Sequence, residues 1–459
     1  MLNEYLQTTL LQERYQPFDN FRTFLSFCKS FRFYYFSKQL KKNFKIKQLK
    51  KLLLHADKHV PFYRNIFDKL NVTQRDINEK TESVLQLLPI LSKDDIITHG
   101  QQYFISSYFK PNQLIHVRTS GSNRRYFDVF YDKNSFIYLN MVRIRSQILC
   151  GMRPWHKLLI VTGDQRPPVP SERWFNKCSL FRTCHISGFE ALSKLNEKFK
   201  DFNPDILIGY PTLLDSIGKG LCEDAKKSIY SIFTSGEPLS TELEASLSKD
   251  YSAKITDFYG AGEFESIAFR CHDCQMYHIN EDTLWVEKTN SNLYQKSDNN
   301  FTENLAFTAT NLWSYAMPLI RYRTEDVIRY SKCCCKGRHK KASGSFSSIK
   351  RARKLDFIRL SNGETVSTVK LNRILSQYVT APKYQFVETR QGMLSLFLSL
   401  GCYSNKQASS LIKALEKGCQ NKIKFEIQPL KRFYVTGTGK YKHVITALDK
   451  ICYKVINVQ

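Results

Sequence analysis

Short apolar runs alternate with helical stretches between residues 157 and 260, and this alternation constrains the fold more than any other feature of the chain. Four of the runs are typical of buried strands: KLLIVTGD (157–164), DILIGYP (205–211), IYSIFTSGEP (229–238) and KITDFYG (254–260). Two segments with helical character follow the second and third runs: TLLDSIGKGL (212–221) and STELEASLSKDY (240–251). Such alternation is typical of a parallel sheet covered by helices. The sequence therefore predicts an α/β fold, with functional turns at the carboxyl ends of the strands.

The character of the chain changes near residue 350, which predicts a second domain. The polar and basic segment SFSSIKRARKLD (345–356) is typical of a hinge. Beyond it, FVETRQGMLSLFLSL (386–400) and IKFEIQPL (423–430) read as strands, and ASSLIKALEKGC (408–419) reads as a helix. We expect a large domain over 1–350 and a small α+β domain over 351–459, because about a hundred residues suffice for a compact unit.

The chain has an excess of positive charge, since 69 Lys and Arg against 42 Asp and Glu give a net +27. Such an excess favours anionic partners, namely nucleotides, acidic membranes or nucleic acids, unless it reflects a lysine-rich lineage. No recognisable nucleic-acid-binding motif is present, so no specific nucleic-acid partner is expected. The first 55 residues read as basic helices, which either pack on the body of the protein or lie on an anionic membrane surface.

The location of the protein is predicted from two further features. No apolar run approaches the length of about 18 residues that a membrane span requires. The 13 cysteines come without a signal peptide. Together these features predict a protein of the reducing cytoplasm.

A polar turn near residue 120 raises the question of phosphate binding. The stretch VRTSGSNRRYFDVF (117–130) brings together hydroxyl groups, a glycine backbone and two guanidinium groups, which suit a polyphosphate but also suit a polar hairpin. No glycine-rich run ends in Gly-Lys-Ser or Gly-Lys-Thr, so the common phosphate loop is absent. Five companion motifs follow it: FTSGEPLS (233–240), DFYGAGEFESIA (257–268), MPLIRYRTEDVI (317–328), RARKLDFIRLSNGE (351–364) and VTGTGKYKHV (435–444).

In this order the motifs resemble those of the adenylate-forming (AMP-binding) superfamily, in its phenylacetate–CoA ligase-like branch, which includes adenylate-forming proteins of capsular polysaccharide biosynthesis. HVPFYRNIFDKLNV (59–72) and LPILSKDDI (88–96) resemble the amino-terminal region of that branch. The resemblance covers about residues 55 to 450. It implies a large adenylation domain and a small, mobile carboxyl-terminal lid domain.

The resemblance also implies an activity. A carboxylic acid would be activated by ATP to an acyl-adenylate, and the acyl group would pass to coenzyme A. Three alternatives remain: transfer to an amine or hydroxyl of a sugar in surface polysaccharide synthesis, attachment of AMP to a deazaflavin, and a catalytically weakened nucleotide-binding homologue. The acid and the oligomeric state are not predicted.

Site residues are carried over from the resemblance motif by motif. The pyrophosphate loop matches Thr119, Ser120, Gly121 and Ser122, with Arg124 and Arg125 adding charge. The adenine and ribose contacts match Gly236, Glu237, Pro238, Tyr259, Gly260 and Asp326. Glu263 matches the Mg²⁺ carboxylate, and Lys440 matches the lysine that bridges the substrate carboxylate and the α-phosphate. Arg353 and Asp356 match the hinge, and Arg353 is also expected near the nucleotide.

Four positions depart from the family pattern. The phosphate loop has Asn123-Arg124-Arg125 where a second glycine and a lysine are usual, and Gly262 replaces a hydroxyl residue before Glu263. Glu325 replaces a glycine before Asp326, and Ala352 replaces the hinge glycine. One lost phosphate donor lowers a rate by on the order of 10²–10³ where charge develops. The departures therefore put rapid turnover in doubt.

Two cysteine-rich segments are spaced for a metal site. RCHDCQMYHINED (270–282) and SKCCCKGRH (331–339) lie about sixty residues apart, and such clusters can close a tetrahedral zinc site. Members of the branch carry comparable segments. We expect a structural zinc held by Cys271, His278, Cys333 and Cys335, with Cys274 or Cys334 as alternates; the other reading is free thiols.

Overall fold

The computed structural model describes most of the chain up to Arg351 and shorter segments beyond it. The described residues are 17–118, 128–162, 179–188, 190–290, 304–330, 335, 344–351, 357–359, 365–367, 371, 374–375, 378, 384–398, 403–419, 421–436, 444–445 and 453–457. They form two compact units. Unit 1 comprises Met1–Pro154 and Thr256–Ala352, and unit 2 comprises Trp155–Ile255 and Arg353–Gln459. The division into domains at residue 350 stays a prediction.

Helices make up the amino-terminal part of unit 1. They are α1 (Pro17–Tyr34), α2 (Lys38–His59), α3 (Pro61–Lys69), α4 (Gln74–Glu79), α5 (Thr81–Leu87), α6 (Lys93–His99) and α7 (Lys133–Leu149). Polar caps fix several starts: Ser37 accepts from the Leu40 amide, and Thr73 and Ser92 each form a capping box. Two short 3₁₀ helices, Gln101–Phe104 and Pro111–Gln113, follow α6.

An antiparallel sheet forms the centre of unit 1. Its strands are β7 (Lys254–Ala261, from Thr256 onward in this unit), β8 (Glu265–Arg270), β9 (Tyr277–Ile279), β10 (Leu284–Asn290), β11 (Asn304–Asn311), β12 (Tyr322–Tyr330) and β13 (Ser345–Arg351). Their order is β10-β11-β12-β13-β9-β8-β7. A separate hairpin pairs β1 (Ile115–Arg118) with β2 (Asp128–Tyr131). Helix α2 packs Leu49, Leu52, Leu53 and Ala56 into the same apolar core as the sheet, because these residues share one helical face.

A parallel sheet forms the first half of unit 2. Its strands are β3 (Leu158–Thr162), β4 (Thr183–Ser187), β5 (Ile206–Gly209) and β6 (Ser231–Ser235), in the order β6-β5-β3-β4. Its helices are α8 (Leu192–Phe202), α9 (Pro211–Gly218), α10 (Glu223–Lys226) and α11 (Thr241–Tyr251). Strand β3 pairs in parallel with β4 and β5, and β5 pairs in parallel with β6. The predicted α/β fold class is therefore confirmed.

In the remaining described residues of unit 2, the elements with defined bounds are short strands and a helix. They are β14 (Phe357–Arg359), β15 (Thr365–Ser367), β16 (Tyr384–Arg390), β17 (Met393–Leu398), α12 (Asn405–Gly418), β18 (Lys424–Pro429), β19 (Arg432–Thr436), β20 (Val444–Ile445) and β21 (Tyr453–Asn457). One sequence expectation was wrong in detail: the single strand predicted over 386–400 is the hairpin β16–β17. The turn at Gln391-Gly392 divides it, because Gly392 adopts a φ of 72° that disfavours other residues.

Among the described residues, no helix combines the length and the apolar character that crossing a bilayer requires.

Candidate functional site

Glu263 is held in the turn between β7 and β8 by three side chains of unit 1. The hydroxyl of Tyr322 donates to Glu263 Oε1 at 3.2 Å, and the Asn311 amide donates to the Glu263 carbonyl at 3.1 Å. The hydroxyl of Tyr131 donates to the carbonyl of the preceding Gly262 at 2.9 Å. The carboxylate predicted to hold Mg²⁺ therefore has a fixed backbone and one fixed oxygen.

Asp326 is held by a tyrosine from a distant strand. The hydroxyl of Tyr259 on β7 donates to Asp326 Oδ2 on β12 at 2.8 Å. Four strand steps separate β7 and β12, which is about 19 Å in a flat sheet at about 4.8 Å per step. The antiparallel sheet must therefore curl strongly, and the curl brings two of the predicted nucleotide residues into contact.

The ring of Tyr259 lies in the core of unit 1. Only 1% of this residue is exposed, and its ring meets Phe307 and Phe346 edge-on at centroid distances of 5.9 and 6.0 Å. The hydroxyl of Tyr259 extends to a predicted site residue, the carboxylate of Asp326. The contact with adenine that the sequence predicts for this ring stays a prediction, and the hydrogen bond to Asp326 is a role that sequence reasoning missed.

The surroundings of Glu263 disfavour the charge of its carboxylate unless a cation offsets it. Burial raises the pKa of its carboxyl group, and the nearby charge of Asp326 acts in the same direction, whereas Lys93 and the Tyr322 hydroxyl lower it. Oxygen from a carboxylate is the ligand type that Mg²⁺ prefers. The residues present therefore fit the predicted magnesium position at this carboxylate.

Gly260 is required by a close approach of two backbone segments. A Cβ atom at this position would lie 2.4 Å from the carbonyl oxygen of Glu265. Because the obstacle is backbone rather than a flexible side chain, the turn that carries Glu263 would have to shift. Glu265 already adopts a φ of 59°, which leaves little freedom for that shift.

We expect Gly260→Ala to destabilise the protein by about 2–3 kcal/mol in denaturant unfolding, since overpacking against backbone is rarely absorbed. Gly344→Ala is the matched control, because its nearest neighbour is the flexible side chain of Glu281 at 3.2 Å. Equal stability of the two variants would show that the β7–β8 turn tolerates a side chain.

The predicted adenine turn follows β6 in unit 2. Gly236 has a φ of 82°, and Glu237 is buried. The Thr212 hydroxyl on α9 donates to Glu237 Oε2 at 2.5 Å. The carboxyl ends of β5 and β6 therefore carry residues that meet, as expected for neighbouring parallel strands. Pro238 continues the same turn.

Several predicted site residues lie outside the described residues. These are the phosphate-loop residues Thr119, Ser120, Gly121, Ser122, Arg124 and Arg125, the hinge residues Arg353 and Asp356, and Lys440. The flanks of the loop are described: Arg118 and Asp128 are paired at the end of the β1–β2 hairpin. The loop sequence thus connects two adjacent strand ends, and its predicted role stays a prediction.

Four metal-ligating side chains converge between β8, β9 and β13. Cys271 follows β8, His278 lies on β9 paired with Ser345, and Cys335 precedes β13. Together with Cys274, their ligand atoms lie within 4.8 Å of one another. Of the predicted set, Cys271, His278 and Cys335 are therefore together. Cys274, an expected alternate, joins them, while Cys333 and Cys334 lie outside the described residues.

Two distances between ligand atoms of this cluster match those of a tetrahedral site. The Sγ atoms of Cys271 and Cys335 are 3.8 Å apart, and Cys274 Sγ lies 3.4 Å from His278 Nε2. Zinc bond lengths of about 2.3 Å to sulfur and about 2.0–2.1 Å to nitrogen give tetrahedral edges of about 3.8 Å and about 3.5 Å. Burial raises the pKa of both Cys271 and Cys274, which keeps these thiols protonated unless a cation offsets the charge. The donor set and its spacing therefore fit Zn²⁺.

Comparison with known proteins identifies relatives by sequence. No protein-family model matches the chain. The phenylacetate-coenzyme A ligase of Escherichia coli is 23% identical over 396 residues, which cover 81% of this chain and 84% of the relative. The phenylacetate-coenzyme A ligase of Thermus thermophilus is 23% identical over 366 residues, which cover 76% of this chain and 78% of the relative.

Comparison with solved structures bears on the fold. 2-Hydroxyisobutyryl-CoA ligase in its postadenylation state, in complex with R3-HIB-AMP, superposes with a TM-score of 0.58 at 14% identity, covering 88% of each chain. The same ligase in complex with 2-HIB-AMP and CoA, in the thioesterification state, superposes with a TM-score of 0.55 at 15% identity, covering 90% of each chain. The chain is thus similar in sequence to phenylacetate-coenzyme A ligases and shares its fold with 2-hydroxyisobutyryl-CoA ligase.

Proposed function

We propose that the protein is an acid–CoA ligase that works through an acyl-adenylate. Two carboxylates of unit 1 carry this proposal: each is oriented by a tyrosine hydroxyl, Glu263 by Tyr322 and Asp326 by Tyr259. A carboxylate that binds a metal and a carboxylate that accepts from ribose hydroxyls are the two anionic groups that nucleotide binding in this family needs. The similarity to two phenylacetate-coenzyme A ligases supports the same activity.

In the first half-reaction, an oxygen of the substrate carboxylate forms a bond to the α-phosphorus of ATP. The bond from that phosphorus to the bridging oxygen breaks, and pyrophosphate leaves with the electron pair. Asp326 accepts hydrogen bonds from the ribose hydroxyls, and Glu263 would hold Mg²⁺, which would supply charge neutralisation on the phosphates. The loop at Thr119–Ser122 donates to phosphate oxygens, and Lys440 contacts the substrate carboxylate and the α-phosphate.

In the second half-reaction, the sulfur of coenzyme A attacks the acyl carbonyl of the adenylate. AMP leaves, the thiol proton is released, and a thioester results. Arg353 and Asp356 act at the hinge, where the small domain exchanges the adenylation arrangement for the thioester-forming one. The acid is a small organic carboxylate whose identity depends on pocket residues of about 160–240.

The acceptor is tested by product analysis. Purified protein is incubated with ATP, Mg²⁺, a panel of aryl and aliphatic acids, and coenzyme A, and the products are identified by mass spectrometry. We expect AMP, pyrophosphate and one acyl-CoA thioester in equal amounts. An adenylate that accumulates with coenzyme A present, and is consumed when an amino sugar is added, would instead favour the polysaccharide acceptor and overturn the assignment of coenzyme A.

We also propose that Cys271, Cys274, His278 and Cys335 hold a structural zinc ion. The Cys271–Cys335 and Cys274–His278 distances support this assignment, since both agree with tetrahedral geometry. Four protein ligands leave no open position for water, so the ion contributes to folding rather than to the reaction. It would join the β8–β9 turn to the segment that leads into β13.

A further inference from the structure

Helix α1 carries apolar side chains on two opposite faces. One face packs on the body of unit 1 through Ser30, Phe33 and Tyr34, which are nearly inaccessible to solvent. On the opposite face, Phe21 is 60% exposed, Phe24 61% and Leu25 49%. At 100° per residue these three side chains fall within about 100° of arc, so they form one exposed stripe. Packing on unit 1 therefore explains only one of the two faces.

The inner face of α1 is firmly anchored. The buried guanidinium group of Arg145 donates to the carbonyl of Ser30 at 2.7 Å, and Arg145 is itself paired with Asp282 at 2.7 Å. The anchor fixes the orientation of the helix, because it holds the backbone of α1 to a buried ion pair. The exposed stripe is thus presented on a rigid element rather than on a loop.

Cations predominate around the stripe, although one of them, Lys42, is paired with Glu82 at 3.9 Å. Between residues 21 and 56 the chain has ten lysine and arginine residues and no aspartate or glutamate. Arg22 and Arg32 are exposed on α1, and Lys38 and Lys42 are exposed at the start of α2 beside Leu40, which is also exposed. An exposed apolar stripe bordered by cations is the pattern of helices that lie in the interface of a bilayer.

We propose that this surface, the stripe of Phe21, Phe24 and Leu25 with its bordering cations, binds the surface of an anionic membrane with α1 parallel to the bilayer plane. The apolar side chains would enter the boundary between headgroups and acyl chains, and the cations would contact lipid phosphates. A second copy of the chain is a poor occupant, because it would bring two such cationic segments together. Each cation near an anionic bilayer strengthens partitioning of the protein to that bilayer on the order of five-fold.

The test uses the full-length protein in a vesicle flotation assay. Vesicles of phosphatidylcholine alone are compared with vesicles that also contain about one third phosphatidylglycerol. We expect at least ten-fold stronger partitioning to the anionic vesicles. Raising the salt from about 0.1 M to about 1 M should weaken it, because screening shortens the reach of the charges. Equal partitioning to the two compositions would overturn the proposal.

Three variants separate the contributions. Phe21→Ser/Phe24→Ser/Leu25→Ser removes the stripe and keeps the charge, and we expect partitioning to fall at least ten-fold. Arg22→Gln/Arg32→Gln/Lys38→Gln keeps the stripe, and most of its preference for anionic vesicles should be lost. The matched control, Leu70→Ser/Leu87→Ser/Ile97→Ser, removes exposed apolar side chains elsewhere in unit 1 and should change partitioning less than two-fold.

Thermal unfolding of each variant confirms that its fold is retained. If the stripe variant binds vesicles as the wild type does, the surface is not a membrane site. If light scattering shows an oligomer that the stripe variant converts to a monomer, the stripe is a self-interface. Binding to RNA that competes with anionic vesicles and depends on the same cations would assign them to nucleic acid. Each of these three results overturns the proposal.

Discussion

Replacing Asp326 with asparagine is expected to weaken ATP binding by about 2–3 kcal/mol, which is on the order of 30- to 150-fold in Kd. The carboxylate is proposed to accept from both ribose hydroxyls, and hydrogen bonds to a charged acceptor are the strong ones. The amide keeps one oxygen that can accept from Tyr259, so the local structure should survive. Isothermal titration with ATP in the presence of Mg²⁺ measures the effect.

Two controls give this result a specific meaning. Asp68→Asn removes the same charge from an exposed position on α3 and should leave ATP binding unchanged. The wild type should also bind 2′-deoxy-ATP more weakly than ATP, and this difference should shrink in Asp326→Asn. An unchanged affinity for ATP in Asp326→Asn would mean that the ribose is bound elsewhere.

Replacing Tyr259, which orients Asp326, should weaken ATP binding less than replacing Asp326 itself. Tyr259→Phe keeps the buried ring and removes only the donor to Asp326 Oδ2. We expect a loss of about 1 kcal/mol in ATP binding, or on the order of five-fold. In the Asp326→Asn background the same change should have a smaller effect, because the two side chains act through one contact. Additive effects would show that Tyr259 acts independently of Asp326.

Loss of the proposed zinc ion is the second large effect. We expect elemental analysis to find about one zinc per chain. Cys271→Ser should lose the metal and destabilise the protein by more than about 4 kcal/mol, since structural zinc sites contribute directly to folding. Denaturant unfolding with and without a chelator measures the change. Cys222→Ser, an exposed thiol in unit 2, is the matched control and should retain zinc and stability.

The same experiment decides between the alternate ligands. Cys274→Ser should release zinc if the described cluster is the complete site. Retention of zinc in Cys274→Ser together with its loss in Cys333→Ser would assign the fourth position to Cys333. Purified protein that contains no zinc and is unaffected by chelators would leave the four side chains as free thiols.

The sequence predicted three of the four parallel strands of unit 2, all but β4, because their signal is local. Strands β3, β5 and β6 are short apolar runs bounded by polar turns, and each falls within its predicted segment. The hairpin β16–β17 was missed because the two short strands and the Gln391-Gly392 turn between them were interpreted as one continuous strand. A glycine flanked by two strand-like runs was the signal that could have found it.

The residues that orient the candidate site could not be predicted, because their contacts depend on tertiary structure. Tyr259 and Asp326 are 67 residues apart in sequence and meet only because the antiparallel sheet curls. Tyr131 lies 131 residues from the glycine whose carbonyl it contacts. Cys274 had a local signal, since it lies four residues before His278, whereas the prediction of Cys333 as a ligand falls outside the described residues.

Exchange of labelled pyrophosphate into ATP, with a panel of carboxylic acids and without coenzyme A, tests the central claim most directly. An acyl-adenylate forms reversibly, so exchange should require both Mg²⁺ and one class of acid, and it should be strongly reduced in Asp326→Asn. If the folded protein binds ATP and yet no acid supports exchange above the acid-free rate, it does not activate carboxylates and the proposed function is wrong.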